Sequence, residues 1–92
     1  MKRRLPPLSS LRGFEAAART ESFSEAARVL NLTQSAISHQ VKALEESLGQ
    51  PLFIRRNRQV ILTDAGFELH GLVREVLDRL ETGVRRLDAY KK

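Results

Sequence analysis

Apolar residues along this chain recur first at helical spacing, then in two short runs, then at helical spacing again. Leu11, Phe14, Ala17 and Ala18 share one face of a helix expected to start at a Ser9 or Ser10 cap and run through Arg19. Leu5-Pro6-Pro7-Leu8 ahead of it is extended, because each proline disfavours helix at the preceding residue. Ser22-Phe23-Ser24-Glu25 has the capping-box pattern, in which the serine and the glutamate satisfy each other's free backbone N–H groups. A short helix then reaches Leu30, and Asn31 ends it as a residue that tolerates the left-handed conformation. Thr33 caps a third helix, whose stripe of Ile37, Val41, Leu44 and Leu48 lies on one face. Gly49 stops that helix and Pro51 forbids its continuation.

Leu52-Phe53-Ile54 and Val60-Ile61-Leu62 are short enough and apolar enough to be strands. With Arg55-Arg56-Asn57-Arg58-Gln59 between them they predict a hairpin with a basic tip, which must lie on the helices to be stable. Thr63 caps a last helix expected from Asp64 to about Tyr90, roughly 40 Å long. Along it Leu69, Val73, Val76, Leu80, Gly83, Leu87 and Tyr90 form a coiled-coil-like seam flanked by Leu72, Leu77 and Val84. The fold class is therefore mainly α: a winged helix-turn-helix of three helices and a two-stranded wing, followed by a long dimerisation helix. Residues 1–63 make the head, with the helix-turn-helix at about 23–42, and residues 64–92 make the linker helix.

Composition narrows the chemistry. The chain has 92 residues, the size of one domain. Aromatics are only 5%, so Leu, Ile, Val and Ala are expected to fill the core. With no cysteine, disulfides, thiol catalysis and the common zinc sites are excluded, and a reducing cytoplasm fits. No apolar run is long enough to span a membrane. Prolines and polar residues behind Met1-Lys2-Arg3-Arg4 argue against a secretory leader.

Charge is distributed unevenly. The net charge is +5, and residues 63–92 balance to zero, so the whole excess lies on the head. A basic head with a neutral tail suggests a polyanionic partner. The polar side of helix 33–48 carries Gln34, Ser35, Ser38, His39 and Lys42. Side chains of this kind at a helix N-terminus can approach base edges in a major groove, and Gln34 can pair with adenine through two hydrogen bonds. The three arginines of the tip suit a narrow minor groove, although charge at a hairpin can also serve only to discourage aggregation.

The order of elements and the strings Ala26-Ala27-Arg28-Val29-Leu30, Thr33-Gln34-Ser35-Ala36-Ile37-Ser38, Leu44-Glu45, Leu48-Gly49, Leu52-Phe53 and Leu62-Thr63-Asp64-Ala65-Gly66 resemble the LysR-type transcriptional regulators. Leu5-Pro6-Pro7-Leu8 with Phe14-Glu15-Ala16-Ala17-Ala18-Arg19 is most similar to the subgroup of the glycine-cleavage activator and the β-lactamase regulator. The resemblance implies double-stranded DNA as partner, an interrupted palindrome as target, and a homodimer through residues 64–90 that doubles to a tetramer in the full-length regulator. It also implies a small-molecule co-inducer bound by a larger C-terminal domain outside this chain, which is then expected to be a fragment.

Carried over by position, Gln34, Ser35, Ser38 and His39 read bases, with Arg58 in the minor groove. Ser22, Ser24, Thr33, Lys42, Arg55 and Arg56 hold the DNA backbone, and Leu69, Val73, Val76, Leu80 and Leu87 form the dimer interface. Many members of the family have arginine where this chain has His39, which leaves the base preference there open.

Other functions fit less well. Ser35 and His39 lie one helical turn apart, but no acid nearby orients the imidazole, so catalysis is not expected. His39 and His70 match no metal spacing, and neither metal nor cofactor is expected; His70 is expected to be solvated or at an interface. A pure oligomerisation module would not explain the serine-rich helix face. A freestanding winged-helix repressor fits poorly with Lys91-Lys92 following an uncapped helix.

Overall fold

A computed structural model describes residues 5–57 and 59–91. In chain order the elements are α1 (Leu8–Thr20), α2 (Phe23–Leu30), α3 (Gln34–Leu48), β1 (Phe53–Arg56), β2 (Gln59–Leu62), α4 (Asp64–Arg86) and a 3-10 turn (Leu87–Tyr90). The chain is a winged helix-turn-helix followed by a long helix.

Most helix ends follow the local chemistry of the sequence. Ser22 accepts from the Glu25 N–H, Thr33 from the Ala36 N–H and Thr63 from the Gly66 N–H, each at 3.0 Å. Asn31 and Gly49 close α2 and α3 in the left-handed conformation, with φ of 56° and 69°. Two helix starts differ from expectation. α1 starts at Leu8, ahead of both serines, with Pro7 at the cap position and the Ser10 N–H donating to the Pro7 carbonyl. Ser10 is buried inside the helix and does not cap it. The capping box at Ser22 is only half made, because the Glu25 carboxylate turns to Arg28 at 2.7 Å. Arg28 thereby holds the Glu25 carboxyl below the usual carboxylate range. Whatever this exposed pair adds to stability is present above that range and is lost as acid protonates Glu25.

Aliphatic residues fill most of the core, as expected, but three aromatic rings lie at its centre. Phe14 of α1, Phe23 of α2 and Phe53 of β1 meet in one cluster, with ring centroids 5.6 Å apart for Phe14–Phe53 and 5.7 Å for Phe23–Phe53. Ile37, Val41 and Leu44 of α3 close it from the other side. Composition alone could not reveal this, since three rings suffice when they share one site; Phe67 and Tyr90 stay exposed.

The wing is a two-stranded antiparallel hairpin in which Phe53 faces Leu62, Arg55 faces Val60 and Arg56 faces Gln59. The strands run farther than expected, so Arg55 and Arg56 lie on β1 and not at a tip. Asn57 takes a left-handed φ of 49° where the chain turns. Strand alternation puts Phe53, Arg55 and Val60 on the side facing the helices. Ile54, Arg56 and Ile61 face away.

The segment before the wing joins three elements. The Glu45 carboxylate of α3 accepts the N–H groups of Leu52 (2.7 Å) and Phe53 (3.3 Å). The Leu52 carbonyl accepts the Thr63 N–H, and the Thr63 hydroxyl donates to the Pro51 carbonyl. Gly66, in the first turn of α4, lies directly against the Leu52 carbonyl, leaving no room for a side chain.

α4 is shorter than expected. It ends at Arg86, and residues 87–90 tighten into the 3-10 turn. Its seam also splits in two. Ala65, Leu69, Val73 and Leu77 pack on the head, and Val73 is only 2% exposed. Farther along, Val76, Leu80, Val84 and Leu87 are bare, at 45–59% exposure. Of the residues expected at a dimer interface, Val73 is buried in the protomer's own core and Leu69 is partly buried against it. His70, expected in solvent or at an interface, packs edge-on against Phe14 with Nε2 3.4 Å from Glu15 Oε2.

Glycine positions on α4 give a direct test of this seating. Gly66→Ala must displace the Leu52 carbonyl or the α4 backbone, and is expected to cost about 1–3 kcal/mol. Gly71 has open space around it, so Gly71→Ala is expected to add up to about 1 kcal/mol through helix propensity. Urea midpoints of the two variants should move in opposite directions.

Candidate nucleic-acid interface

The polar face of α3 stands clear of the core. Ile37, Val41 and Leu44 are buried, which turns Gln34, Ser35, His39 and Lys42 outward; Ser38 is half-buried at the foot of the wing. Gln34 occupies the first helical position, just after the Thr33 cap. Helix N-termini concentrate unpaired N–H groups, which favours electron-rich ligands there.

Beside this face lies a cleft of about 320 Å³ between the wing and the helix-turn-helix. Ser22, Ser24, Gln34, Arg55, Arg56 and Asn57 are among its lining residues. The structure therefore brings the sequence-predicted residues Ser22, Ser24, Gln34, Arg55 and Arg56 around one cleft, with Ser38 tied to it through Arg55 and Thr33 and Ser35 flanking Gln34 in the chain. His39 and Lys42 continue the same face along α3. Arg58, expected to enter a minor groove, lies outside the described residues. A larger depression of about 660 Å³, between α3 and α4 near Leu48, Leu52 and Leu69, is remote from this polar face.

The electrostatics favour an anion. Arg19 and Arg28 are engaged in intrahelical pairs with Glu15 and Glu25. Arg55 and Arg56 line the cleft, Arg55 from the inner face of β1 and Arg56 from its outer edge, and exposed Lys42 lies along α3. The hydroxyls add to this. Ser22 and Thr33 each accept a backbone N–H, and Ser38 accepts from Arg55 Nη2 at 3.3 Å. A hydroxyl whose oxygen is so occupied still has its hydrogen to give.

Arg55 is not the free finger expected from the sequence. Its guanidinium carbon lies 4.7 Å from the centroid of the Phe23 ring. Phe23 and Glu45 were missed as contributors to the site. For Phe23 a signal existed, since the two-residue period puts Arg55 on the same strand face as buried Phe53. For Glu45 none did, because its partners are backbone groups seven and eight residues away.

Comparison with known proteins agrees with this geometry. The sequence profile described as "Bacterial regulatory helix-turn-helix protein, lysR family" matches residues 8–67. The chain belongs to the LysR family. It is 48% identical over 89 residues to the glycine cleavage system transcriptional activator of Escherichia coli K12, covering 97% of this chain and 29% of that protein. It is 49% identical over 80 residues to the transcriptional activator AmpR of Citrobacter freundii, covering 87% of this chain and 28% of that one. The chain thus spans less than a third of the length of these relatives.

Among solved structures, an OxyR mutant of Corynebacterium glutamicum superposes with a TM-score of 0.89 at 33% identity, covering 99% of this chain and 29% of that one. The DNA-binding domain of BenM, solved in complex with catB site 1 DNA, superposes at 0.86 and 31% identity, covering 91% of this chain and 94% of that one. The subgroup expected from the N-terminal strings is the one these relatives represent.

The seat of the wing can be tested through Glu45. Glu45→Ala leaves the Leu52 and Phe53 N–H groups without their charged acceptor, and is expected to cost about 1.5–3 kcal/mol. In hydrogen-exchange measurements these two amides should lose protection before those at the centre of α1.

Proposed function

We propose that this chain is the DNA-reading end of a bacterial transcription regulator. α3 enters the major groove of double-stranded DNA, led by Gln34, Ser35, Ser38 and His39. The wing lies over the neighbouring minor groove, and Arg58, outside the described residues, is its candidate contact there. Ser22, Ser24, Thr33, Lys42 and Arg56 face the phosphates. The observation that carries this reading is the outward, polar N-terminal half of α3 beside a cationic wing. The superposition on a LysR-family domain described as a DNA complex supports it.

The working unit is a homodimer on an interrupted palindrome. The bare outer half of α4, with Val76, Leu80, Val84 and Leu87, pairs with a second copy and fixes the spacing of the two reading heads. The head through residue 63 and the linker helix beyond it are joined by the packed first turns of α4. In a longer regulator, pairs of dimers and any small-molecule co-inducer involve sequence beyond this chain. The site of action is the cytoplasm, where bacterial DNA is, and catalysis has no part in it.

Gln34→Ala should cost about 1–3 kcal/mol on a site selected from random duplexes, while affinity for scrambled DNA barely moves. Lys42→Ala should weaken both evenly and lower the salt slope by about one. Binding isotherms at two salt concentrations separate these roles. If Gln34→Ala lowers both affinities equally, α3 does not point into the groove.

Leu80→Asp places a charge in the bare stripe. It should give monomers in sedimentation equilibrium and weaken binding to a palindrome roughly a hundredfold through lost avidity. A wild-type chain that stays monomeric at high concentration, both on and off DNA, rules out the dimer.

A further inference from the structure

Arg55 bridges two helices from the inner face of β1. Its guanidinium lies over the Phe23 ring at the start of α2, and its Nη2 donates to Ser38 Oγ in the N-terminal half of α3. The platform is rigid: Phe23 is 6% exposed and packs edge-on against Phe53 at 84°. Arg56, one residue on, faces the opposite side of the hairpin. The two arginines therefore differ in role as well as in place.

The consequence falls on Ser38. A hydroxyl has one hydrogen and two lone pairs, and alone it can serve a base as donor or acceptor. Here the guanidinium occupies a lone pair, and the hydroxyl hydrogen has no acceptor among the described residues. One lone pair remains, but the guanidinium charge weakens it as an acceptor and repels a further N–H donor, while it strengthens the O–H as a donor by polarising it.

We propose that Arg55 is a positioning residue that fixes Ser38 as a hydrogen-bond donor. Ser38 thereby selects a major-groove acceptor (purine N7, guanine O6 or thymine O4) and disfavours the amino groups of cytosine and adenine. This rests on the DNA-reading function proposed above. It assigns Arg55 a share in base choice in place of an even hold on phosphate.

The test uses the chain itself and duplexes enriched by the wild type from a random library. Binding is then measured to every single-base variant of the enriched site at two salt concentrations. Ser38→Ala and Arg55→Ala should each reduce discrimination at the same base pair by about fivefold, the size of one hydrogen bond. The double variant should lose no more than either alone, and the salt slope of Arg55→Ala should equal that of the wild type. Arg55→Lys keeps the charge without the flat guanidinium and should not restore discrimination.

The proposal is overturned if Arg55→Ala weakens all duplexes evenly, lowers the salt slope by about one and adds to the Ser38→Ala loss, as a phosphate contact would. If the wild type enriches no sequence at all, the DNA-reading function itself fails, a result distinct from that one.

Discussion

A hairpin of two four-residue strands buries too little surface to fold alone, and this one is seated by Phe53. The ring packs between Phe14 and Phe23 and so ties β1 to both helices that precede α3. The Glu45 carboxylate fixes the strand's first amides, and the strand pleat then dictates the rest: with Phe53 facing in, Arg55 must face in and Arg56 must face out. The cleft beside α3, the stacked guanidinium and the route of the chain into α4 all follow from that placement. Each aromatic contact is worth little alone, about 0.5–1.5 kcal/mol beyond area burial. Their effect is geometric, because together they allow one wing position.

The architecture was legible because its signals are local. Ser22, Thr33 and Thr63 each cap the helix that follows, and Asn31 and Gly49 end helices in the left-handed conformation. The α3 stripe of Ile37, Val41 and Leu44 is buried as its spacing requires, so the opposite polar face could be assigned from period alone. Most of the candidate site follows from that one face and the position of the wing. What could not be read depends on distant partners. Pro7 displaced the expected serine cap of α1, because its carbonyl accepts the Ser10 N–H and so closes the first turn ahead of both serines. His70 settled against Phe14 and Glu15, 56 and 55 residues away, a pairing that no periodicity encodes.

The long helix shows how a correct pattern can hide two uses. Residues from Ala65 to Leu87 follow one continuous stripe, and a single interface is the natural reading. The fold divides that stripe by distance from the head: the proximal positions complete the protomer's core, and the distal ones remain open. Period identifies a face but not what covers it. Gly66 marks where the division begins, since only a residue without a side chain lets α4 lie against the Leu52 carbonyl.

The hydroxyls of the reading surface share a further property. Ser22, Thr33 and Ser38 have their oxygens engaged by N–H donors, two from backbone and one from Arg55. With Lys42 and Arg56 nearby, the protons these hydroxyls still hold sit in a positive field, which makes them better donors than acceptors. The surface is therefore biased toward electron-rich partners and mismatched to surfaces that are themselves rich in amines or guanidinium groups. Sulfated or phosphorylated polymers supply lone pairs along their whole length and satisfy it without any sequence information. The same hydrogen-bond polarity that suits the chain to a genome gives it a general adhesiveness for polyanions, against which any selectivity for one sequence must be measured.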